Sequence, residues 1–335
     1  MIFVTGGAGF IGSEFVRARL RSGSGERVIV FDKLTYSGNL DNLAPVADSP
    51  GYSFVHGDIC DPSAVLEALP EKCDAIVHFA AESHVDRSIL SAAEFVRTNA
   101  LGTQVLLDAA RERRIGRFIH ISTDEVGGSI PESHFFREGD PLNPSSPYAA
   151  SKAAAEHLVQ AAHHTFGLDT VITRTSNNHG PYQFPEKLLP LAISKAMRGE
   201  PIPVYGDGLQ VRDWIHVADN CRALQLVMKN GRPGEIYHIG GGNVLPNLQV
   251  LKTLLRIVGA PESLLTSVKD RLGHDRRYAV DCSKIKSELG WMPEISFEQG
   301  LASTVQWYRD NAVWVERARS GEYREMEKRI YQPVT

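Results

Sequence analysis

The chain has no unbroken apolar run long enough to cross a bilayer, which takes about 20 residues in a helix. Its first residues, 1-MIFVTGGAGFIGSEFV-16, carry no basic leader and break their apolar character with glycines, so neither a signal peptide nor a membrane span is expected. Cysteine is scarce: Cys60, Cys73, Cys221 and Cys282 stand apart, without CxxC or other ligand spacing. That distribution argues for reduced thiols in a cytoplasmic protein and against disulfides or a zinc site. No block of like charge occurs, and 36 Lys and Arg against 40 Asp and Glu leave a formal charge of −4. Such a balance offers nothing to nucleic acid or to an acidic membrane surface. Histidine is more plentiful, at 12, but no HExxH or comparable pairing exists. His157, His163 and His164 fall on the polar face of a helical stretch, where a surface role is expected and metal ligation is not. Internal repeats and low-complexity segments are also missing.

What is present is an ordinary globular chain of 335 residues, 42% hydrophobic and 23% charged, enough for one large domain or two smaller ones. Short β-branched runs at 2–5, 27–31, 52–55, 74–80, 117–122 and 169–174 alternate with helical stretches at 11–22, 93–113 and 148–166. Parallel neighbours need crossovers, so this alternation implies an α/β fold with a Rossmann-type, doubly wound parallel sheet. After Arg174 the rhythm breaks into the turn-rich, aromatic stretch 175-TSNNHGPYQFPEKLLP-190. A late apolar run, 235-EIYHIGG-241, is expected to rejoin the main sheet. The division that follows is a first unit of 1–174 plus about 214–241, and a smaller discontinuous α/β unit of 175–213 and 242–335, with a ligand cleft between them. The last residues, 316–335, read as a charged surface helix or tail.

Gly6, Gly9 and Gly12 lie between the first strand and the first helix. Glycines there let the backbone turn tightly and approach a pyrophosphate seated on the helix N-terminus, where N–H donors and the positive end of the dipole meet. Asp32 closes the second strand, placed to accept both ribose hydroxyls and repel a 2′-phosphate, which favours NAD; the adjacent Lys33 would blunt that preference. Asp58, after the third strand, would reach the adenine edge, unless it is a simple turn residue.

Tyr148 and Lys152 in 148-YAASK-152 are four positions apart and project from one helix face. An ammonium near a phenol favours the phenolate, lowering its pKa from about 10, so that the tyrosine can take a proton from a sugar hydroxyl as hydride leaves the same carbon. Upstream, 122-STDEVGG-128 puts two hydroxyls and then two adjacent carboxylates at the end of an apolar strand. Burying charge is costly unless it is paired or used.

These segments together resemble the extended short-chain dehydrogenases and, more narrowly, the nucleotide-diphosphate-glucose 4,6-dehydratases, above all the dTDP-glucose enzymes. The resemblance runs nearly end to end through 5-TGGAGFIGS-13, 32-DKLTYSGN-39, 79-FAAESHVDRS-88, 122-STDEV-126, 148-YAASK-152, 176-SNNHGPYQFPEKLLP-190, 205-YGDG-208, 212-RDW-214 and 270-DRLGHDRRYAVD-281. The glycine loop and YxxxK are shared across the superfamily, whereas the Thr-Asp-Glu run and RxGHDRRY are far more specific. The resemblance implies oxidation at C4 of glucose, water elimination across C5 and C6, and return of the hydride to C6. Glu125 is implied as the base for the C5 proton and Asp124 as the acid for the C6 hydroxyl, with Thr123 bonded to the C4 hydroxyl beside Tyr148. Like-charge repulsion and burial would push the two carboxyl pKa values apart.

By the same resemblance Gly6, Gly9, Phe10, Ile11, Gly12, Asp32, Lys33, Leu34, Thr35, Asp58, Ile59, Phe79, Ala80, Ala81, Ser83, Thr98 and Asn178 line an NAD site with Tyr148 and Lys152. The nucleotide sugar would meet Ser83, Thr123, Asn177, Lys187, Leu188, Pro203, Val204, Tyr205, Arg212, Asn247, Asp270, Arg271 and His274. Lys187 starts a helix, and Arg212 and Arg271 add guanidinium donors suited to phosphate oxygens. A homodimer through helices including 93–113 and 148–166 is expected of the family. Nucleotide-sugar 4-epimerases and UDP-glucuronate decarboxylases share the cofactor and the Tyr-Lys pair but lack the Asp-Glu pair. A non-catalytic Rossmann protein that senses dinucleotide has no use for Tyr148, Lys152 and Thr123 together. The chain departs from the family twice. Gly127 stands where relatives usually have tyrosine, and His179 stands in the tyrosine position of SNNYGP. A roomier pocket rim, partly refilled by His179 or a neighbour, is the expected consequence.

Overall fold

The computed structural model describes residues 1–23 and 25–319. Of the charged segment expected at 316–335, the start falls in the helix Ala312–Ala318, and residues 320–335 lie outside the described residues. The β-branched runs of the first half become β1 (Ile2–Thr5), β2 (Val28–Asp32), β3 (Tyr52–His56), β4 (Ala75–His78), β5 (Arg117–Thr123) and β6 (Thr170–Thr175). The chain continues through β7 (Asn177–His179), β8 (Ile202–Tyr205), β9 (Val211–His216), β10 (Ile236–Ile239), β11 (Val244–Pro246) and β12 (Leu265–Val268). Seven strands form one parallel sheet in the order β10-β6-β5-β4-β1-β2-β3, so the late apolar run does rejoin it, beside β6.

Alternation along each strand sorts the two faces. Ile2, Val4, Val28, Val30 and Val77 face the helices Phe10–Arg21 and Val217–Asn230, through Phe15, Val16, Leu224 and Val227. Phe3, Ile29, Phe31, Ile76 and Phe118 face the other way, onto the helices Pro62–Ala68, Gly102–Glu112 and Pro147–Phe166. Both faces of β1, β2 and β4 are buried, which is why these strands read as continuous apolar runs. One boundary differs from the expected division. The helix Ser283–Leu289 and the following Trp291, assigned by sequence to the smaller unit, pack on the large sheet through Ile285 and Trp291. That helix is too short for its periodicity to reveal which core it serves.

The remaining strands make a three-stranded sheet, β11-β9-β7, and a two-stranded one, β12-β8. They pack with the helices Leu188–Arg198, Asn247–Val258 and Phe297–Asp310 around Leu189, Ile193, Trp214, Leu251 and Leu301. The helical stretch expected at 93–113 spans Ala92 to Glu112 but widens into a π-helical segment at Val96–Leu101. Wide turns of this kind are frequent at functional sites. Here Asn99 pins the segment, donating to Ser151 Oγ at 2.8 Å and exchanging bonds with the backbone of Glu82 at 2.9 and 3.0 Å. The helix Pro147–Phe166 is well delimited: Ser146 accepts from the Ala149 N–H, Pro147 occupies the first turn, and Gly167 ends it in the left-handed conformation.

Candidate active site

The order of strands reverses between β1 and β4, and in such sheets ligands bind beyond the carboxyl ends at that point. A cleft of about 450 Å³ lies there, walled by the ends of the large sheet on one side and by Lys187, Tyr205, Arg212, Arg271 and His274 on the other. Its floor is the glycine loop. Gly6 has φ +69°, and a Cβ on it would stand 2.4 Å from Ala80 N; a Cβ on Gly12 would stand 2.3 Å from Gly6 O. Only glycine fits either position. The helix Phe10–Arg21 begins at Gly9 with no side-chain cap and no acidic residue in its first turn, leaving its N–H groups available to an anion.

Asp32 sits at the end of β2, where Oδ2 accepts from Ala8 N and Oδ1 from Leu34 N, each at 2.9 Å. Lone pairs remain on both oxygens for ribose hydroxyls. Lys33 Nζ is 2.8 Å from Asp58 Oδ2, so the cation beside Asp32 is answered by Asp58 and is not left to invite a 2′-phosphate. These features fit a dinucleotide with free ribose hydroxyls.

Thr123 ends β5 and caps the turn Asp124–Gly127, its Oγ1 accepting from Glu125 N at 3.3 Å and donating to Asp124 Oδ1 at 3.2 Å. Gly128 closes the turn with φ +68°, hard against Asn143 O, which a Cβ would approach to 2.1 Å. The Asp124 carboxyl is pushed up to about 8, by burial first and by the Glu125 carboxylate second, with Arg212 opposing. Burial raises Glu125 too, but Arg271, Arg212 and Lys187 all pull it back toward the ionised form. Near neutrality the shared proton therefore belongs on Asp124. Asp124 Oδ2 and Glu125 Oε2 are both buried without a hydrogen-bond partner. Orphaned oxygens of this kind are expensive unless a ligand completes them.

The Tyr148 phenol departs from expectation. Burial raises its pKa, the Glu125 carboxylate raises it further, and a hydrogen bond to Thr123 only partly offsets them. Lys152 does not counter this in the chain alone, because its ammonium donates to Ile121 O at 2.7 Å and next approaches His120 Nε2 at 3.5 Å. Its own pKa falls to about 8 through burial. The helix spacing places Tyr148 and Lys152 on one face, as read from sequence, yet each finds different partners. The buried ion pair Arg174–Glu156, at 2.8 Å with side chains 3% and 1% exposed, ties their helix to β6.

On the opposite wall, Lys187 stands at the N-cap position of the helix Leu188–Arg198 without a side-chain capping bond, and its Nζ donates to Ser83 O at 2.7 Å. Arg212 is 5% exposed; it donates to the carbonyls of Val211 and Asp275 and lies 4.1 Å above the Tyr278 ring. Among the described residues no carboxylate forms an ion pair with Lys187, Arg212 or Arg271. Tyr205 OH donates to Asp86 at 3.2 Å and its ring meets the edge of His274.

Nearly all residues singled out from sequence line this one cleft; Leu34, Val204 and Asp270 do not. Leu34 packs on the core and only its N–H serves Asp32. Val204 points into the smaller core between cleft-lining Pro203 and Tyr205, as strand alternation requires. Asp270 stands behind His274 and accepts from its imidazole at 2.6 Å. The two departures resolve differently from expectation. Gly127 faces away from the cleft, and the space beside it is filled by the ring of Phe136, 2.7 Å from where a Cβ would lie. His179 is buried against His216 and Phe297, and it refills nothing at the rim. Tyr278, Glu186 and Arg87 escaped the sequence reading. Arg87 lies 3.8 Å above the Tyr36 ring and 3.4 Å from Glu186, whose carboxyl burial pushes up to about 7. All three sit within matched motifs, but a lone Tyr, Glu or Arg carries no signal of its role until its neighbours are known.

The family model described as GDP-mannose 4,6 dehydratase matches residues 3–304. A curated dTDP-glucose 4,6-dehydratase of Streptomyces niveus is 58% identical over 323 residues, covering 95% of this chain and 96% of its own length. One from Escherichia coli is 47% identical over 352 residues, covering 96% and 97%. Among solved structures, the dTDP-glucose 4,6-dehydratase DesIV from Streptomyces venezuelae, with NAD and dTDP bound, matches with a TM-score of 0.93 at 52% identity, over 95% of this chain and 99% of that one. A UDP-glucose 4-epimerase from Thermotoga maritima with UDP-glucose matches at 0.85 and 32% identity, over 93% and 99%.

Proposed function

The chain belongs to the family described by the GDP-mannose 4,6 dehydratase model, and from that premise we propose that it is an NAD-dependent 4,6-dehydratase converting dTDP-glucose to dTDP-4-keto-6-deoxyglucose and water. The observation that carries the reading is the buried Asp124–Glu125 pair, with its proton on Asp124, beside Tyr148 and Lys152 and above a dinucleotide cradle. NAD, when bound, supplies a two-electron sink that takes the hydride from C4 and returns it to C6. Tyr148 removes the C4 hydroxyl proton while Thr123 holds the same hydroxyl. The C4 ketone acidifies the proton on C5, which Glu125 removes. Asp124 protonates the C6 hydroxyl, which leaves as water. Glu125 then returns its proton to C5. Lys187, Arg212 and Arg271 hold the diphosphate, and Tyr205 and His274 flank the base.

A 4-epimerase shares the oxidation at C4 but needs no adjacent acid and base, and a dinucleotide sensor needs no Tyr148 or Lys152. The deciding experiment incubates the protein with dTDP-[4-²H]glucose and follows product mass. Loss of one water with deuterium at C6 is expected; an unchanged mass, or loss of carbon dioxide from the corresponding glucuronate, refutes the reading. We also assign the protein to the cytoplasm, in keeping with its four free thiols, and to a homodimer. Val96, Leu101 and Phe166, all at least half exposed on the helices at 92–112 and 147–166, are apolar surface that a second copy would cover. Sedimentation of the wild type and of Leu101→Glu tests this, with a monomeric wild type as the refuting result.

A further inference from the structure

Most cations of the described chain have a carboxylate partner, as in Arg174–Glu156, Arg276–Asp207 and Lys33–Asp58. Lys187, Arg212 and Arg271 form no ion pair with any described residue, although all three line the cleft and Arg212 is buried. A buried cation without an anion is costly, and such a set is arranged for an anion that arrives. Glu125 lines the same cleft, its Oε2 buried without a hydrogen-bond partner, and Arg271, Arg212 and Lys187 are the cations that act on its carboxylate.

We propose that the diphosphate of the sugar nucleotide and the carboxylate of Glu125 share one set of cations, Lys187, Arg212 and Arg271, so that seating the diphosphate strengthens Glu125 as the C5 base. This rests on the substrate class and the role of Glu125 given above. The other groups facing Glu125 are Asp124 on its own turn, Tyr148 on the helix Pro147–Phe166, and Asp275 and Tyr278 on the segment after β12. The first and third of these are carboxyls, so neither replaces the positive charge that a diphosphate would neutralise. Burial raises the Glu125 carboxyl, and in the chain alone Arg271, Arg212 and Lys187 oppose that rise and so limit its strength as a base. A diphosphate placed among them adds two negative charges to the same field, and Glu125 gains affinity for a proton only when a sugar is present to provide one. Arg212 is held for both tasks by the Tyr278 ring and by the Asp275 carbonyl, and the Tyr278 hydroxyl bonds Asp275 Oδ2 at 2.6 Å.

The probe is the β-methyl ester of thymidine 5′-diphosphate, which carries both charges, has no phosphate proton of its own near neutrality, and lacks the hexose. Its binding to the NAD-loaded protein is measured by calorimetry at about pH 6, in two buffers of different ionisation enthalpy. Asp124 is already largely protonated there, so proton uptake reads Glu125. Uptake of a fraction of a proton per site is expected, and its loss in Glu125→Gln with the probe still bound. Binding without uptake overturns the shared-cation proposal and leaves the substrate class standing. Uptake that persists in Glu125→Gln also overturns it, because the proton then goes elsewhere. Failure of the probe to bind refutes the diphosphate assignment, and the proposal with it. A second measurement needs no variant: the acid limb of kcat, which reports the complex, is expected at higher pH than that of kcat/KM, which reports the free enzyme. Coincident limbs overturn the proposal.

Discussion

Gly127→Ala tests how the acid–base turn is held. An ideal Cβ on Gly127 falls 2.7 Å from Phe136 Cε1 and 2.8 Å from its Cδ1 and Cζ. Carbon atoms pack at about 3.5–4.0 Å, so the ring or the turn must retreat by about 1 Å. The ring has little freedom: Phe136 N donates to Ala279 O at 2.9 Å, Asp281 N donates to Phe136 O at 2.8 Å, and the ring stacks on His238 at 5.1 Å. Overpacking of this sort costs about 1–3 kcal/mol. Gly127 does not have positive φ, so alanine recovers about 0.4–1 kcal/mol by restricting the unfolded chain. A net loss of about 1–2 kcal/mol is expected in urea denaturation followed by tryptophan fluorescence. Because Val126 and Ala153 share the cluster with Phe136, the displacement reaches both Asp124–Glu125 and the Tyr148–Lys152 helix. kcat should therefore fall more than KM rises. Phe136→Leu makes room, and in a double-mutant cycle it should restore about 1 kcal/mol relative to additivity. Full stability of Gly127→Ala, or strict additivity with Phe136→Leu, refutes the idea that Phe136 occupies that space.

Glu125→Gln should still oxidise C4, so absorbance of reduced cofactor builds up in a single turnover while water loss slows by about 10²–10⁴-fold; normal turnover refutes the base assignment. Asp124 has a folded pKa of about 8 against 3.8, so the folded state binds the proton more tightly and stability contributed by this group falls as pH rises from 3.8 through 8. Asp124→Asn removes that loss, so its gain in denaturation free energy should be larger at about pH 8 than at about pH 5; a pH-independent difference refutes the shift. Glu156→Ala leaves Arg174 buried without its partner and should cost about 3–5 kcal/mol in chemical denaturation. A loss below about 1 kcal/mol means that water or His238 replaces the carboxylate.

Local signals made much of this protein legible. Apolar runs interrupted by glycines placed β1, β2 and the cradle almost to the residue, because backbone conformation there depends on near neighbours in sequence. The Thr123–Glu125 run and the spacing of Tyr148 and Lys152 pointed to residues that do meet in one cleft, because a strand end and a single helix turn suffice to present them. Lys33 shows where such reasoning stops. By sequence its charge competes with Asp32, but Asp58, in the loop after β3, pairs with it at 2.8 Å. The same limit applies to Ser283–Leu289, whose packing on the large sheet depends on where β10 inserts, and to Gly127, whose lost aromatic is replaced by a ring nine residues later in sequence.

What the amino-acid sequence determined by itself is the parallel sheet, the glycine cradle, and the grouping of two carboxyls, a tyrosine and a lysine at the strand ends, since each depends on residue type at short spacing. Only the tertiary structure decided their protonation. Burial raises both carboxyls, Asp124 to about 8, while Arg271, Arg212 and Lys187, brought from three distant segments, oppose the rise at Glu125. In the chain alone the Tyr148 phenol is raised by burial first and by the Glu125 and Asp124 carboxylates after it, while Lys152 donates to Ile121 O. Electrostatic energy in a buried site follows distance and dielectric through space, and neither quantity is written along the chain.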